Sequence, residues 1–113
     1  MHKDIADFQM PSEAAVEHAV DVLRILGDPT RLRILYALCQ GESSVACLAE
    51  LAETTPTAVS QHLSRLRLAR LVKPRREGTF MFYTITDPEI RRVLDAVLSS
   101  HAAQAETVSV ATS

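Results

Sequence analysis

The chain has 113 residues, of which 47% are hydrophobic and 23% charged, and its formal net charge is −2. A chain of this length forms one small globular domain and is too short for a second. It contains no apolar run near the roughly 18 residues of a membrane span, and the N-terminal sequence MHKDIADFQM lacks the apolar centre of a signal peptide. We therefore predict a cytoplasmic protein with no membrane partner.

Charge is distributed unevenly along the chain. Residues 1–56 carry a net charge of −5, residues 57–82 carry six Lys or Arg against one acid, and the remainder carries −2. A basic block of this kind suits the phosphate backbone of a nucleic acid, because its cations replace condensed counterions. The alternative is an ordinary solvated face, and the order of the predicted elements decides between the two.

Capping signals divide the first two thirds of the chain into four predicted helices, after a flexible N-terminus at residues 1–11. The first helix opens at Pro11-Ser12-Glu13 and ends at Gly27, and the second closes at Gly41. Pro29 and Pro56 stand at first helical positions, where a missing N–H costs no hydrogen bond. The residues predicted to cap the second, third and fourth helices are Asp28, Ser43 or Ser44, and Thr55.

Beyond Leu71 the spacing of apolar residues changes from helical to alternating. The runs VKPRR and TFMFYTI flank Glu77-Gly78, a two-residue turn signal, and predict a β-hairpin. Pro74 cannot donate to a sheet and predicts an edge strand. Asp87-Pro88 then opens a last helix, EIRRVLDAVLSSHAAQA, followed by a flexible tail at residues 107–113.

Four helices, a hairpin and a terminal helix predict a mainly α fold with a β-hairpin wing, the winged helix-turn-helix. Its domain covers residues 12–106, with the helix-turn-helix at 44–70 and the wing at 71–85. In this fold the fourth helix enters the major groove and the wing holds the DNA backbone. The predicted DNA contacts on the helix and the wing are Thr55, Thr57, Ser60, Gln61, His62, Arg65, Arg75 and Arg76. The alternative for the helix residues is an ordinary polar surface.

Three segments resemble the ArsR/SmtB family of small bacterial transcriptional repressors, in the family's order and spacing, over residues 16–101. They are LRILGDPTRLRILYAL, SVACLAELAETTPTAVSQHLSRLRLARLV and RREGTFMFYTI. The resemblance implies a homodimer joined by the first and last helices, bound to an imperfect palindrome in promoter DNA. It also implies that an inducer, commonly a metal ion, releases the DNA.

Apolar stripes on the first and last helices, in a chain too short to bury them all, favour the same dimer. The residues predicted to form its interface are Val16, Val20, Leu23, Leu94, Val97 and Leu98.

The family's metal sites match this sequence only in part. Ser44-Val45-Ala46 occupies the place of a Cys-Val-Cys site, which makes a thiolate site of that type improbable. At the last helix Asp87 is kept, Glu89 replaces the family's histidine, and the two later ligand positions are Ser100 and Ala103. His101 lies beside the first of these. We therefore predict a site for nickel, cobalt or zinc formed by Asp87 and Glu89 of one chain and His101 of the other. The alternative is that Asp87 caps the last helix and Glu89 favours its dipole.

Other effectors and another function stay open at this stage. Cys39 and Cys47 allow a thiol-redox response, and His2 next to a terminal amine allows chelation of nickel or copper. A winged helix also serves as a protein–protein interaction module. An enzyme is excluded, because nothing pairs a nucleophile with a base and there is no glycine-rich phosphate loop.

Overall fold

The computed structural model describes residues 4–112, with side chains through Ser100. A short 3₁₀ turn, Ile5–Asp7, precedes the domain. The elements that follow are α1 (Glu13–Leu26), α2 (Pro29–Cys39), β1 (Ser43–Ser44), α3 (Val45–Leu51), α4 (Pro56–Leu68), β2 (Val72–Glu77), β3 (Phe80–Ile85) and α5 (Glu89–Thr112). The predicted winged helix-turn-helix is confirmed, with α3 and α4 as the paired helices and β2 and β3 as the wing.

The predicted capping residues each accept a hydrogen bond from the third residue along the chain. Asp28 accepts from the Arg31 amide at 2.9 Å, and Thr55 Oγ1 accepts from the Ala58 amide at 3.1 Å. Of the two candidates before α3, Ser44 is the cap, with its Oγ 3.2 Å from the Cys47 amide. These bonds satisfy amides that a helix leaves without partners in its first turn.

Helices α3 and α4 end earlier than predicted, at Leu51 and Leu68 instead of residues 53 and 71. Each helix is closed by a residue with a positive φ, Glu53 at +54° and Arg70 at +62°. The sequence gives no glycine signal at either place, so the predicted helices run on past these turns.

The sheet contains one strand that the sequence did not predict. β1 pairs with β3, which pairs with β2, so the antiparallel order is β1-β3-β2. A strand of two residues has no periodicity to detect. β2 is an edge strand, as Pro74 predicts. The turn is Gly78-Thr79 and not Glu77-Gly78, because Glu77 still pairs with Phe80 and Gly78 takes the positive φ of +62°.

One hydrophobic core joins α2, α3, α4 and the start of α5. Its most deeply buried large side chains are Ile34, Leu35, Leu48, Val59, Leu63, Leu66 and Leu94. Helix α5 continues to Thr112, whereas the sequence predicts a flexible tail from residue 107. None of the helices in the described chain combines the length and the apolarity needed to cross a membrane.

Candidate nucleic-acid interface

Helix α4 turns a polar face to solvent. Its core-facing side consists of Val59, Leu63 and Leu66. Helical spacing places Thr57, Gln61 and Ser64 on the opposite side, and all three are exposed. Ser64 was not predicted as a contact, although its spacing from Gln61 and Thr57 is the signal that finds it. The face therefore presents one amide and two hydroxyl side chains in a row.

Ser60 and Arg65 flank this row and are also exposed. Thr55 is exposed as well, but its hydroxyl already accepts the capping hydrogen bond from Ala58. Ser64 donates to the carbonyl of Ser60 at 3.0 Å, which orients its hydroxyl along the helix.

His62 lies on a different side of α4 from the other predicted contacts. Its side chain is 23% exposed, and Nε2 lies 3.9 Å from Oδ2 of Asp28, the residue that caps α2. The helix turns about 100° between successive residues, so His62 faces inward while Gln61 faces outward. The structure thus places His62 against α2 and not among the groups that line the exposed face.

Most of the basic block is free to meet anions. In the part of the chain whose side chains are described, every cation between residues 57 and 82 except one lacks an acidic partner. These unpaired cations are Arg65, Arg67, Arg70, Lys73 and Arg76. They lie on α4, on the turn after it and on β2, so the positive charge surrounds the polar face.

Arg75 is the exception. Its Nε and Nη2 donate to the two carboxylate oxygens of Glu42 at 2.9 and 2.6 Å, and Nη2 also donates to Glu77 at 3.0 Å. The guanidinium lies 5.2 Å from the centre of the Phe82 ring. The hydrogen bond from Arg75 lowers the pKa of Glu42, and the two carboxylates raise the pKa of Arg75. The sequence predicts Arg75 as a phosphate contact, but the structure gives it two carboxylate partners within the protomer.

Apolar side chains remain exposed on α1 and α5. Of the predicted interface residues, Val97 is 61% exposed, and Val16, Val20, Leu23 and Leu98 are also accessible. Leu94 is only 1% exposed, because it packs into the core of its own protomer. Val93, one residue earlier, is exposed in its place. Leu94 therefore does not contribute to a surface for a second copy, and Val93 does.

The predicted metal ligands do not come together within one protomer. Asp87 accepts a hydrogen bond from the Glu89 amide at 2.9 Å, and Glu89 pairs with Arg92 at 3.1 Å. The side chains of His101 and His2 lie outside the described residues. Residue 101 is twelve positions after Glu89, which is about 18 Å along a helix. The described side chains include no group of three His, Cys, Asp or Glu residues that is close enough to hold a metal ion.

Cys39 and Cys47 are both free thiols. Burial raises the pKa of Cys39, which disfavours the thiolate form that reacts with oxidants. Cys47 is exposed on α3.

Comparisons with known proteins give the same assignment as the geometry. The profile of bacterial regulatory proteins of the arsR family matches residues 28–73. The HTH-type transcriptional regulator KmtR of Mycobacterium tuberculosis is 45% identical over 82 residues, which are 72% of this chain and 63% of that protein.

Two solved structures extend the match to most of the chain. The antimony-specific transcriptional repressor AntR superposes with a TM-score of 0.80 at 31% identity, over 90% of this chain and 93% of that one. A homodimeric winged helix-turn-helix DNA-binding domain from Mycobacterium bovis superposes with a TM-score of 0.74 at 29% identity, over 91% and 95% of the two chains. The chain belongs to the ArsR family of bacterial transcriptional regulators, which bind DNA and are not enzymes.

Proposed function

We propose that two copies of this chain form a dimer that binds an imperfect palindrome in promoter DNA and represses transcription. The observation that carries the proposal is the exposed row of Thr57, Gln61 and Ser64, surrounded by cations without acidic partners. With α4 in the major groove, this row meets base edges while the cations meet phosphate. Such a regulator acts in the cytoplasm, where the promoter is.

Gln61 is the strongest candidate for reading a base. Its amide offers a donor and an acceptor together, the combination that matches N7 and N6 of adenine in the major groove. Thr57 and Ser64 add hydroxyl groups that either donate or accept. Arg76 on the wing and Arg65 on α4 hold phosphate, which adds affinity without sequence preference.

A selection of duplexes from a random-sequence pool tests this function. The wild-type protein should recover an inverted repeat, because a two-fold dimer presents two copies of α4. Gln61→Ala should relax the recovered sequence at one position in each half-site. His62→Ala is the matched control, since its neighbouring side chain faces inward, and it should recover the same sequence as wild type. Failure of the wild-type protein to bind any duplex would favour a protein–protein interaction module instead.

The salt dependence of binding tests the phosphate contacts. Arg76→Gln should reduce the slope of log K against log salt by up to about one, and should weaken binding to all duplexes alike. Arg24→Gln removes the same charge from α1, away from α4 and the wing, and should leave the slope unchanged. An unchanged slope in Arg76→Gln would place the phosphate contacts elsewhere.

We further propose that a divalent metal, nickel, cobalt or zinc, binds between two copies and lowers their affinity for DNA. The ligands are Asp87 and Glu89 of one copy and His101 of the second. Two carboxylates and an imidazole suit these ions, and a second copy is required because one helix keeps the groups about 18 Å apart. The antimony-specific function of AntR supports an ion as effector in this family.

Calorimetric titration with each ion tests the metal site. Wild type should bind one ion per pair of sites weakly, and His101→Ala should bind none. His18→Ala removes a histidine from α1 and should bind as wild type does. Because a ligating imidazole must be neutral, affinity should fall as the pH drops below about 6.5. Equal binding by all three proteins, or by none, would leave Cys39 and Cys47 or a small molecule as the effector site.

A further inference from the structure

We propose that Arg75 positions the wing and does not contact DNA, and that Glu42 is the anchor that holds it. The inference rests on the proposed binding of DNA by α4 and the wing. It assigns to an acidic residue outside the helix-turn-helix a role in setting the affinity and sequence preference of the protein.

The ion pair uses the full bonding capacity of the Arg75 fork. Both oxygens of Glu42 accept from it, at 2.9 and 2.6 Å, and Glu77 accepts a third hydrogen bond at 3.0 Å. A bidentate guanidinium–carboxylate pair fixes orientation as well as distance. One cation here faces two carboxylates, so the group as a whole repels phosphate.

The pair spans the sheet from one edge to the other. Arg75 on β2 lies opposite Phe82 on β3, and Phe82 lies opposite Ser44 on β1. The guanidinium crosses the Phe82 ring to reach Glu42, which stands just before β1. The contact therefore connects the outer strand of the wing to the loop that follows α2.

That loop has few other restraints. A cavity of about 600 Å³ and a second of about 400 Å³ share Gln40, Gly41 and Glu42 as lining residues. Space on both sides of the loop means that packing does not hold it. The two-residue strand β1 and the Glu42–Arg75 pair are what connect it to the sheet.

Arg76 provides the contrast within the same strand. Successive side chains of a strand point to opposite faces, so Arg76 projects away from Arg75. It is exposed and has no acidic partner among the described side chains. The division of labour is then between neighbours, with Arg75 fixing the angle of the wing and Arg76 meeting the backbone.

Single and double substitutions separate this proposal from direct phosphate contact. The probes are the duplex recovered from the random pool and an unrelated duplex, each about 30 base pairs, which accommodates half-sites one helical turn apart. Glu42→Gln and Arg75→Gln should each weaken binding to the recovered duplex by about threefold to tenfold, as for partners in one network. The double variant should be no weaker than either single one. The slope of log K against log salt should stay at the wild-type value in all three.

Arg75→Lys is the decisive variant, because Lys keeps the charge but cannot form the bidentate pair. It should bind as weakly as Arg75→Gln. Full binding by Arg75→Lys, a reduced salt slope in Arg75→Gln, or tighter binding by Glu42→Gln would each overturn the proposal in favour of a phosphate contact. Wild-type affinity in every variant would also overturn it. If wild type binds neither duplex, the proposed function itself has failed. Circular dichroism of each variant checks that the fold is retained.

Discussion

Asp28 connects three parts of the protein at the scale of a single side chain. It caps α2 by accepting a hydrogen bond from the Arg31 amide at 2.9 Å, and it lies 3.9 Å from His62 of α4. Arg31 in turn donates from Nε to the carbonyl of Ile25 near the end of α1, at 2.9 Å. The amide hydrogen bond lowers the pKa of the Asp28 carboxyl, and the charges of Arg31 and His62 act in the same direction against the effect of burial.

Removing this cap should destabilise the protein measurably. We expect Asp28→Ala to lower the free energy of unfolding by about 1 kcal/mol, and Asp28→Asn by less, because Asn is also a good N-cap. Asp21→Asn on the exposed face of α1 is the control and should change stability little. Urea unfolding followed by circular dichroism measures the differences. A loss in Asp28→Asn as large as in Asp28→Ala would show that charge, and not capping, dominates.

The same carboxyl predicts a dependence on pH. Its pKa is lower in the folded state, so its charged form contributes stability above the ordinary value of 3.8 and loses that contribution as the pH falls through the folded-state pKa. The stability difference between wild type and Asp28→Asn should therefore narrow as the pH falls below about 3.8. Unfolding curves across this range, run on both proteins, check the sign.

At the scale of the elements, α3 and α4 end in the same way. After α3, the Thr54 amide donates to Ala49 at 2.9 Å and the Glu53 amide to Glu50 at 3.2 Å. After α4, the amides of residues 71 and 70 repeat the pattern, with bonds of 2.9 Å each. Both are Schellman closures, which normally use glycine at the position with positive φ. Here Glu53 and Arg70 occupy it, and a side chain in the left-handed region costs about 1 kcal/mol.

Glu53→Gly should therefore be more stable than Glu53→Ala. We expect a difference of about 1 kcal/mol in the free energy of unfolding, since alanine keeps the strain that glycine relieves. Thermal or urea unfolding of the two variants measures it, and comparing them cancels the loss of the Glu53 charge. Equal stability would mean that the closure after α3 imposes no strain on its side chain.

At the scale of the whole molecule, the protomer is more extended than its length requires. Its radius of gyration is 17.9 Å, against about 13 Å for a compact domain of this size. The exposed apolar residues of α1 and α5 lie on this open framework. A second copy that covers them explains both the shape and the uncovered side chains.

Val97→Asp should convert the protein to a monomer, because it buries a charge in the proposed interface, which should remove about 1,200 Å² or more. Tight binding to a palindromic duplex should be lost with dimerisation. Phe80→Asp is the control, since it places the same charge on an exposed apolar residue of the wing, and it should remain a dimer. Analytical ultracentrifugation at micromolar concentration measures both. A wild-type protein that sediments as a monomer would contradict the model.

Local chemistry determined most of the fold. The caps at Asp28, Ser44 and Thr55, the two first-turn prolines and the alternation that predicts the wing depend on neighbours a few residues away, so the sequence alone predicted them. It also predicted the polar row on α4 except for Ser64, whose helical spacing from Gln61 was the available signal.

Tertiary structure decided the features that depend on distant residues. Glu42 and Arg75 are 33 positions apart, and no local pattern shows that a cation of the basic block meets a carboxylate before it meets DNA. The inward direction of His62 depends on where α2 begins, and the burial of Leu94 depends on how α5 lies on α2. Sequence spacing gives the face of a helix, whereas the partner of that face is set only when the elements pack against one another.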